Sequence, residues 1–465
     1  MSPLSPNLPT IAAAWQRLGF YERLLTLLLL GYFVGERGFA ELHLPGTPLY
    51  IGEIVLLAGI VRLLLLSRAD LWLGVPPLYC LAGLILLSIF SMRRHVWQDW
   101  VSSARDAATT YYMLFTVIAC TRNGRWIIIF LCRLFSRFGP LFLAVIAIQA
   151  GFPDFFTNLT PFPDHQHGIL RIFSNLWPLH AMIIAMLGCA GHHSDDSTLP
   201  PAALILLIGA IALVLLTQCR GATLGGVAAL IVFLTLLRSK RRWEWSLAAI
   251  AVILLLGIVA TSILPGNSTD PDVQDLISAH QVTSKFVSIV ANENADFKPN
   301  AVHFRTRWWI DIVDLNLSRF DLAVFGQGFG ANAGAVGGRF DYAPLVRAAH
   351  NSWVNIFWWL GLSGFFLYLL FFAFILRHFY TFIRTRNPLA LSYCAPLFAA
   401  TIGGMIGSSF DHTFSNPVSC IPLFTLVGSA LAAAHHAVSL PPHPLPHPPR
   451  PQHLANNKEP ITNNQ

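Results

Sequence analysis

Charge is what this sequence lacks. Asp, Glu, Lys and Arg together make up 11% of its 465 residues, while hydrophobic residues reach 54%. Soluble globular chains spend about a quarter of their residues on charge. A chain this apolar cannot cover itself with water-compatible groups. Its repeated apolar runs near about twenty residues point to a bilayer as the surrounding medium. Paired cysteines are missing too. Cys80, Cys120, Cys132, Cys189, Cys219, Cys394 and Cys420 lie mostly inside or at the ends of apolar runs, none in C-x-x-C spacing. That argues against a disulfide framework and a zinc site. No internal repeat is visible. A basic face for nucleic acid is also absent: the net charge is +7, but most Lys and Arg sit in short loops between apolar runs, which is a topology signal. No nucleic-acid partner is expected.

What is present is an all-α integral membrane protein. About twelve transmembrane helices are expected, centred near residues 28, 57, 83, 113, 140, 182, 208, 230, 255, 363, 400 and 427. The first run follows Arg17 and Arg23 and lacks a small-x-small cleavage site, so it reads as a span and not a signal peptide. With a cytoplasmic N-terminus, Arg62, Arg68, Arg122, Arg125, "RSKRR" at 238–242 and "RHFYTFIRTR" at 377–386 all fall on the cytoplasmic side, as the positive-inside rule requires. The chain then divides into a bundle over 1–264, a long periplasmic loop subdomain over 265–349, and C-terminal helices over 350–436. A Pro- and His-rich tail over 437–465 is compositionally disordered. The long loop is expected to be partly helical, because it carries Trp308, Trp309 and "IDIVDLNL".

Several polar groups collect on the outward side. In "RAAHNSWVNIFWWLGLSGFF", residues 347–366, His350 and Asn351 stand at the mouth of an apolar run. One reading is an interfacial helix cap. The other is a general base, since imidazole is neutral and basic near neutral pH. Arg220 lies in "LLTQCRGATLGG", at a tight corner between two runs, where snorkelling to headgroups is the plainer account. Arg305 and Arg307 lie in "FRTRWWIDIVDL", which also reads as a solvated helix with an aromatic anchor. Arg105 and Asp106, in "RRHVWQDWVSSARDAATTYY", share that side, with a mutual ion pair as the structural reading. Asp411 and His412 in "FDHTF" read the same way. "FGQGFGANAGAVGG" matches G-x-G-x-x-A through Gly326, Gly328 and Ala331, but a dinucleotide site needs a strand before it and a helix after it; a close-packed or flexible loop fits better. Asn158, Asn267 and Asn316 open glycosylation sequons. The arginines and His350 share one membrane edge. Guanidinium forks grip phosphate oxygens, so together they point to transfer from a phosphate-linked donor.

"HNSWVNIFWWLGLSG" resembles the H-[NSQ]-x9-G-x-x-G signature of the O-antigen ligase family of bacterial envelope glycosyltransferases. "TQCRG" resembles that family's S-R-G turn, with Cys219 where Ser is usual. "RTRWW…FGQGFGAN" resembles its Arg-x-x-x-Trp segment and G-x-G loop, with a longer spacer. The resemblance implies a metal-independent, inverting enzyme of the inner membrane with no cofactor. It would move a glycan from undecaprenyl diphosphate onto a lipid A–core sugar hydroxyl on the periplasmic face. It makes His350 the base and Arg220 and Arg305 the diphosphate-holding groups. Arg307 is the alternative to Arg305, and Asn351 and Arg105 would assist substrate binding. A polymerase of O-antigen or exopolysaccharide, or a protein O-oligosaccharyltransferase, would share the donor. A lipid-linked sugar transporter is the non-enzymatic alternative, and would favour mid-bilayer charges and inverted repeats.

Overall fold

The computed structural model describes residues 9–151, 177–191, 201–216, 220–236, 300–338 and 347–439, apart from 46, 48, 68, 69, 386, 411 and 412. Among the described residues the backbone is helical, and extended pairing is confined to two isolated bridges, His43 with Tyr50 and Leu71 with Thr121. In order, the helices are α1 (Ile11–Gln16), α2 (Phe20–Ala40), α3 (Ile51–Leu65), α4 (Val75–Met92), α5 (Trp100–Tyr111), α6 (Leu114–Ala119) and α7 (Arg125–Gly151). They continue as α8 (Trp177–Gly191), α9 (Pro201–Leu216), α10 (Arg220–Leu236), α11 (Asn300–Leu317), α12 (Phe320–Phe325), α13 (Ser352–Arg384), α14 (Pro388–Gly407) and α15 (Pro417–Ser439).

Five of these helices are long and apolar enough to cross a bilayer: Val75–Met92, Arg125–Gln149, Ser352–Arg384, Pro388–Gly407 and Pro417–Ser439. Shorter apolar helices cover Pro178–Gly191, Ala202–Val214 and Gly221–Leu236. The expected dozen is therefore not reached among the described residues. The span centred near 113 is replaced by α5 and α6, separated by Tyr112 and Met113. The reason is local. Asp99 caps α5 by accepting from the Ser102 amide, and Arg105 and Asp106 follow, so this stretch is amphipathic and not uniformly apolar. The span expected near 255 lies outside the described residues, as do Cys219, Asn158, Asn267, Asp411, His412 and the tail beyond Ser439; the expected tail's first three residues, 437–439, are the last of α15. The other six cysteines are buried and form no disulfide among the described residues.

α15 forms the centre: every residue from Val418 to Ala434 is buried, and it packs against α2, α6, α7 and α14. Two hydroxyls in its middle are satisfied within the helix. Thr425 donates to the Ile421 carbonyl and Ser429 to the Thr425 carbonyl, both four residues back, so neither is stranded in the apolar core. α10 and α14 cross on a glycine seam. A Cβ at Gly225 would lie 2.5 Å from the Gly403 oxygen, and one at Gly403 would lie 2.4 Å from the Gly225 oxygen. The G-x-x-x-G spacings 221–225 and 403–407 thus let two backbones touch, the way membrane helices associate without a hydrophobic driving force between them.

Candidate active site

The site begins with a broken helix. α13 is interrupted at Gly361, whose φ is +62°, a conformation that glycine adopts without penalty. The break removes intrahelical partners from the carbonyls just before it. Three of them find other donors. Asn316 Nδ2 donates to the Phe357 oxygen at 2.8 Å. The Gln327 amide donates to the Trp358 oxygen at 2.7 Å and the Gly328 amide to the Trp359 oxygen at 3.1 Å. The "FGQGFGAN" segment is therefore the close-packed loop that complements the α13 break. Its glycines are needed there: Gly326, Gly328 and Gly330 all have positive φ, and a Cβ at Gly326 would lie 2.4 Å from the Trp359 carbonyl carbon. The G-x-G loop and the second half of the histidine motif are one packing unit. Asn316 is fully buried in it, which closes this sequon to modification in the folded chain.

The same loop is fastened to the turn after α4. Ser91 Oγ accepts from the Phe329 amide at 3.1 Å, and Arg94 and His95 reach the Gly326 and Gln327 carbonyls. Asp106 accepts from the Gly330 amide at 3.0 Å and pairs with Arg347 at 3.6 Å. Arg347 also donates to the Gly330 oxygen at 3.0 Å. The expected Arg105–Asp106 pair does not form. Neighbours on a helix point about 100° apart, so Arg105 instead donates to the Tyr50 hydroxyl at 2.6 Å. Arg347, three residues before His350, is held by protein groups.

Burial pushes Asp106 up to about 6, against the opposing pull of Arg347. The native state then holds this proton more tightly than the unfolded chain does. Stability from this group is fully present below about pH 4 and is lost as pH rises through about 6, on the order of 2–3 kcal/mol. Asp106→Asn keeps an acceptor for Gly330 and removes the buried charge. Thermal unfolding of the purified protein should show the variant as stable as wild type or more so at pH 8, with a flatter dependence between pH 4 and 7. A variant that is less stable at pH 8 would mean that the ion pair outweighs its desolvation.

His350 lies between α11 and α13. Its φ is +49°, in the left-handed region that few non-glycine residues enter. The peptide before it is held from two sides: the Ala349 amide donates to Asn355 Oδ1 at 2.7 Å, and Trp309 Nε1 donates to the Ala349 oxygen at 2.7 Å. Asn351 is the N-cap of α13, accepting from the Trp353 and Val354 amides, while its Nδ2 donates to the Ser409 oxygen at 2.9 Å. Its side chain is thus occupied in fixing the helix start. The Ser352 amide adds a bond to the Ser408 oxygen at 2.9 Å. The 407–410 turn in turn meets the start of α10, where a Cβ at Gly221 would lie 2.9 Å from Phe410 Cβ. The backbone of Arg220 is therefore at this same end.

Arg305 and Arg307 are both exposed on α11. At about 100° per residue, Arg305 sits about 40° from Trp309, whereas Arg307 is about 160° away. Trp308, Ile312 and Asn316 are buried and mark the packed face, and Arg305 continues it by one turn towards the helix start. The structure thus brings the backbone positions of Arg220, Arg305 and His350 to one end of the bundle and turns Arg307 to the other side of α11. Sequence reasoning passed over Asn355, Trp309 and the 407–410 turn as supports. The polar Asn355 in an otherwise apolar run was the available signal for one of them.

No curated protein matches the chain. Residues 203–369 match the family model described as O-antigen ligase. The matched segment runs from α9 to the middle of α13, and so contains Arg220, Arg305, His350 and the complementary loop and break around Gly326 and Gly361. Over this segment, rather more than a third of its length, the chain is similar to the O-antigen ligase family.

Proposed function

We propose that the protein is a bacterial inner-membrane ligase that moves a glycan from undecaprenyl diphosphate onto a sugar hydroxyl of lipid A–core at the periplasmic face. His350 takes the proton from the acceptor hydroxyl as its oxygen forms a bond to the anomeric carbon. The bond from that carbon to the diphosphate breaks on the opposite face, which inverts the centre. Arg220 and Arg305 meet the negative charge that builds on the departing diphosphate, stabilisation by fixed donors aimed at developing charge. A lipid diphosphate leaves as a weakly basic anion, so the reaction calls for no strong general acid. The two guanidiniums supply the positive charge, so the reading requires no metal.

The observation that carries this reading is the double anchoring of residues 349–352. Trp309 ties them to the helix that bears Arg305, and Ser408 and Ser409 tie them to the turn beside Arg220. The segments that bear base and cations are thereby tied together by an indole, an amide side chain and one backbone bond, a fixed relation of the kind preorganised catalysis needs. Mass analysis of lipopolysaccharide from cells lacking the chain tests the acceptor: lipid A–core without distal glycan is expected. Intact lipopolysaccharide with a missing exopolysaccharide or protein glycan would move the activity to a polymerase or a protein glycosyltransferase.

The helix geometry also separates the two arginines of α11. Arg305→Gln should lower kcat in a purified transfer assay by on the order of 10²–10³-fold. Arg307→Gln should change it by no more than a few-fold, about the range of a lost surface charge. The reverse ranking would transfer the diphosphate role to Arg307.

A further inference from the structure

The end of the bundle opposite His350 carries a second concentration of cations. The Thr413–Ser415 turn is bonded to Ser352 through the Phe414 amide, so α15 starts at the His350 end. From Val418 to His435 it covers roughly 25 Å at about 1.5 Å per residue, close to the roughly 30 Å hydrocarbon thickness of a bilayer. At the far end, Trp72 stacks on His435 and His436, with ring centroids 5.0 and 6.1 Å away. Arg125 lies 5.9 Å from the Trp72 ring and 5.2 Å from the Trp126 ring. Arg17 approaches the same Trp126 ring at 4.6 Å.

This patch is built; the one carboxylate beside it, Asp70, accepts from the Ser67 hydroxyl at 2.8 Å and pairs with none of its arginines among the described residues. The Trp72 amide donates to the Cys120 oxygen and the Arg122 amide to the Asp70 oxygen, both at 3.0 Å, so a short ribbon fixes Trp72 and Arg122 relative to each other. The charges acting on Arg125 are those of Arg122 and Arg17, all of one sign. Among the described residues none of these three arginines makes an ion pair. The Nε of Arg125 is buried and meets no acceptor. Arg122 and Arg125 also flank the start of α7, whose dipole end is itself positive. Like charges gathered beside an uncompensated guanidinium donor are unfavourable unless an anion joins them. Tryptophans at this depth are the usual companions of lipid headgroups.

We propose that Arg17, Arg122 and Arg125 bind the phosphate of an anionic phospholipid headgroup at the bilayer face opposite the candidate active site. Juxtamembrane cations draw anionic lipid to that face in general; here the tryptophans hold Arg17 and Arg125, and the ribbon at Asp70 sets Arg122 beside them.

Native mass spectrometry of the purified, delipidated full chain, titrated with phosphatidylglycerol or phosphatidylcholine, tests this. The wild type should retain phosphatidylglycerol at least tenfold better than phosphatidylcholine. Arg122→Gln with Arg125→Gln should bring that ratio near one. Arg377→Gln with Arg384→Gln removes the same charge from exposed positions at the same end of the bundle and should leave the ratio near the wild-type value. Should the first pair fail to fold, Arg122→Gln alone, an exposed side chain, should still lower the ratio several-fold. Equal loss in both pairs would replace a site with diffuse attraction, and overturn the proposal. So would equal retention of the two lipids by wild type. Displacement of bound phosphatidylglycerol by millimolar inorganic phosphate would assign the patch to soluble phosphate, and overturn it as well.

Discussion

His350→Ala is expected to abolish detectable glycan transfer while leaving the protein inserted and monodisperse. A positioned general base contributes about 10²–10⁴-fold to a rate, and an acceptor hydroxyl that keeps its proton is a poor nucleophile. His350 is half-buried at the start of α13, and the bonds that shape its surroundings run through the Ala349 backbone, Asn351 and Ser352. They survive removal of the imidazole. One confounding factor is the backbone: at φ +49° an alanine carries roughly 1–2 kcal/mol of left-handed strain. His350→Gly removes the imidazole without that strain, so both variants should be inactive and the glycine variant should match wild type in thermal stability. Transfer at more than a tenth of the wild-type rate by either variant, with lipid-linked donor and core acceptor, would remove His350 from the role of base.

Gly361→Val should prevent the native fold around the site. A Cβ there would lie 2.5 Å from the Val324 carbonyl carbon and 2.6 Å from the Gly326 nitrogen. Both are backbone atoms that cannot retreat without breaking the bonds from Gln327 and Gly328 to the α13 carbonyls. The φ of +62° adds strain that a β-branched residue tolerates worst. Together the overlap and the strain should exceed about 4 kcal/mol, the range of the most damaging single substitutions. Low yield, aggregation in detergent and no transfer are expected. A Gly361→Val protein that unfolds at the wild-type temperature would show that the helix break is incidental to the fold.

The two substitutions probe different halves of one motif, and they mark where sequence reading succeeds. Hydrophobic run length and loop charge foretold a helical membrane protein, though five helices long and apolar enough to cross a membrane, not twelve, stand among the described residues. The centre near 113 fell at a helix junction because run length averages over the Ser, Arg, Asp and Thr residues of α5. The spacing of His350, Gly361 and Gly364 was legible as a pattern. Its cause was not: the glycine serves a loop more than thirty residues earlier in the chain (Gly326 and Gly328). Arg105 and Asp106 looked like partners because they are adjacent, yet helix geometry sends them to Tyr50 and Arg347.

By itself the sequence determined the medium, the helical class and which ionisable groups are candidates for chemistry. These follow from composition and local periodicity, which each segment carries alone. Only the tertiary structure decided which groups meet. It set Arg305 and not Arg307 on the face that touches the His350 segment, and it spent Arg347 on Asp106. It also gathered Arg17, Arg122 and Arg125, none of which makes an ion pair among the described residues. Contacts between segments far apart in the chain depend on how helices cross and where they break, and no single segment encodes that.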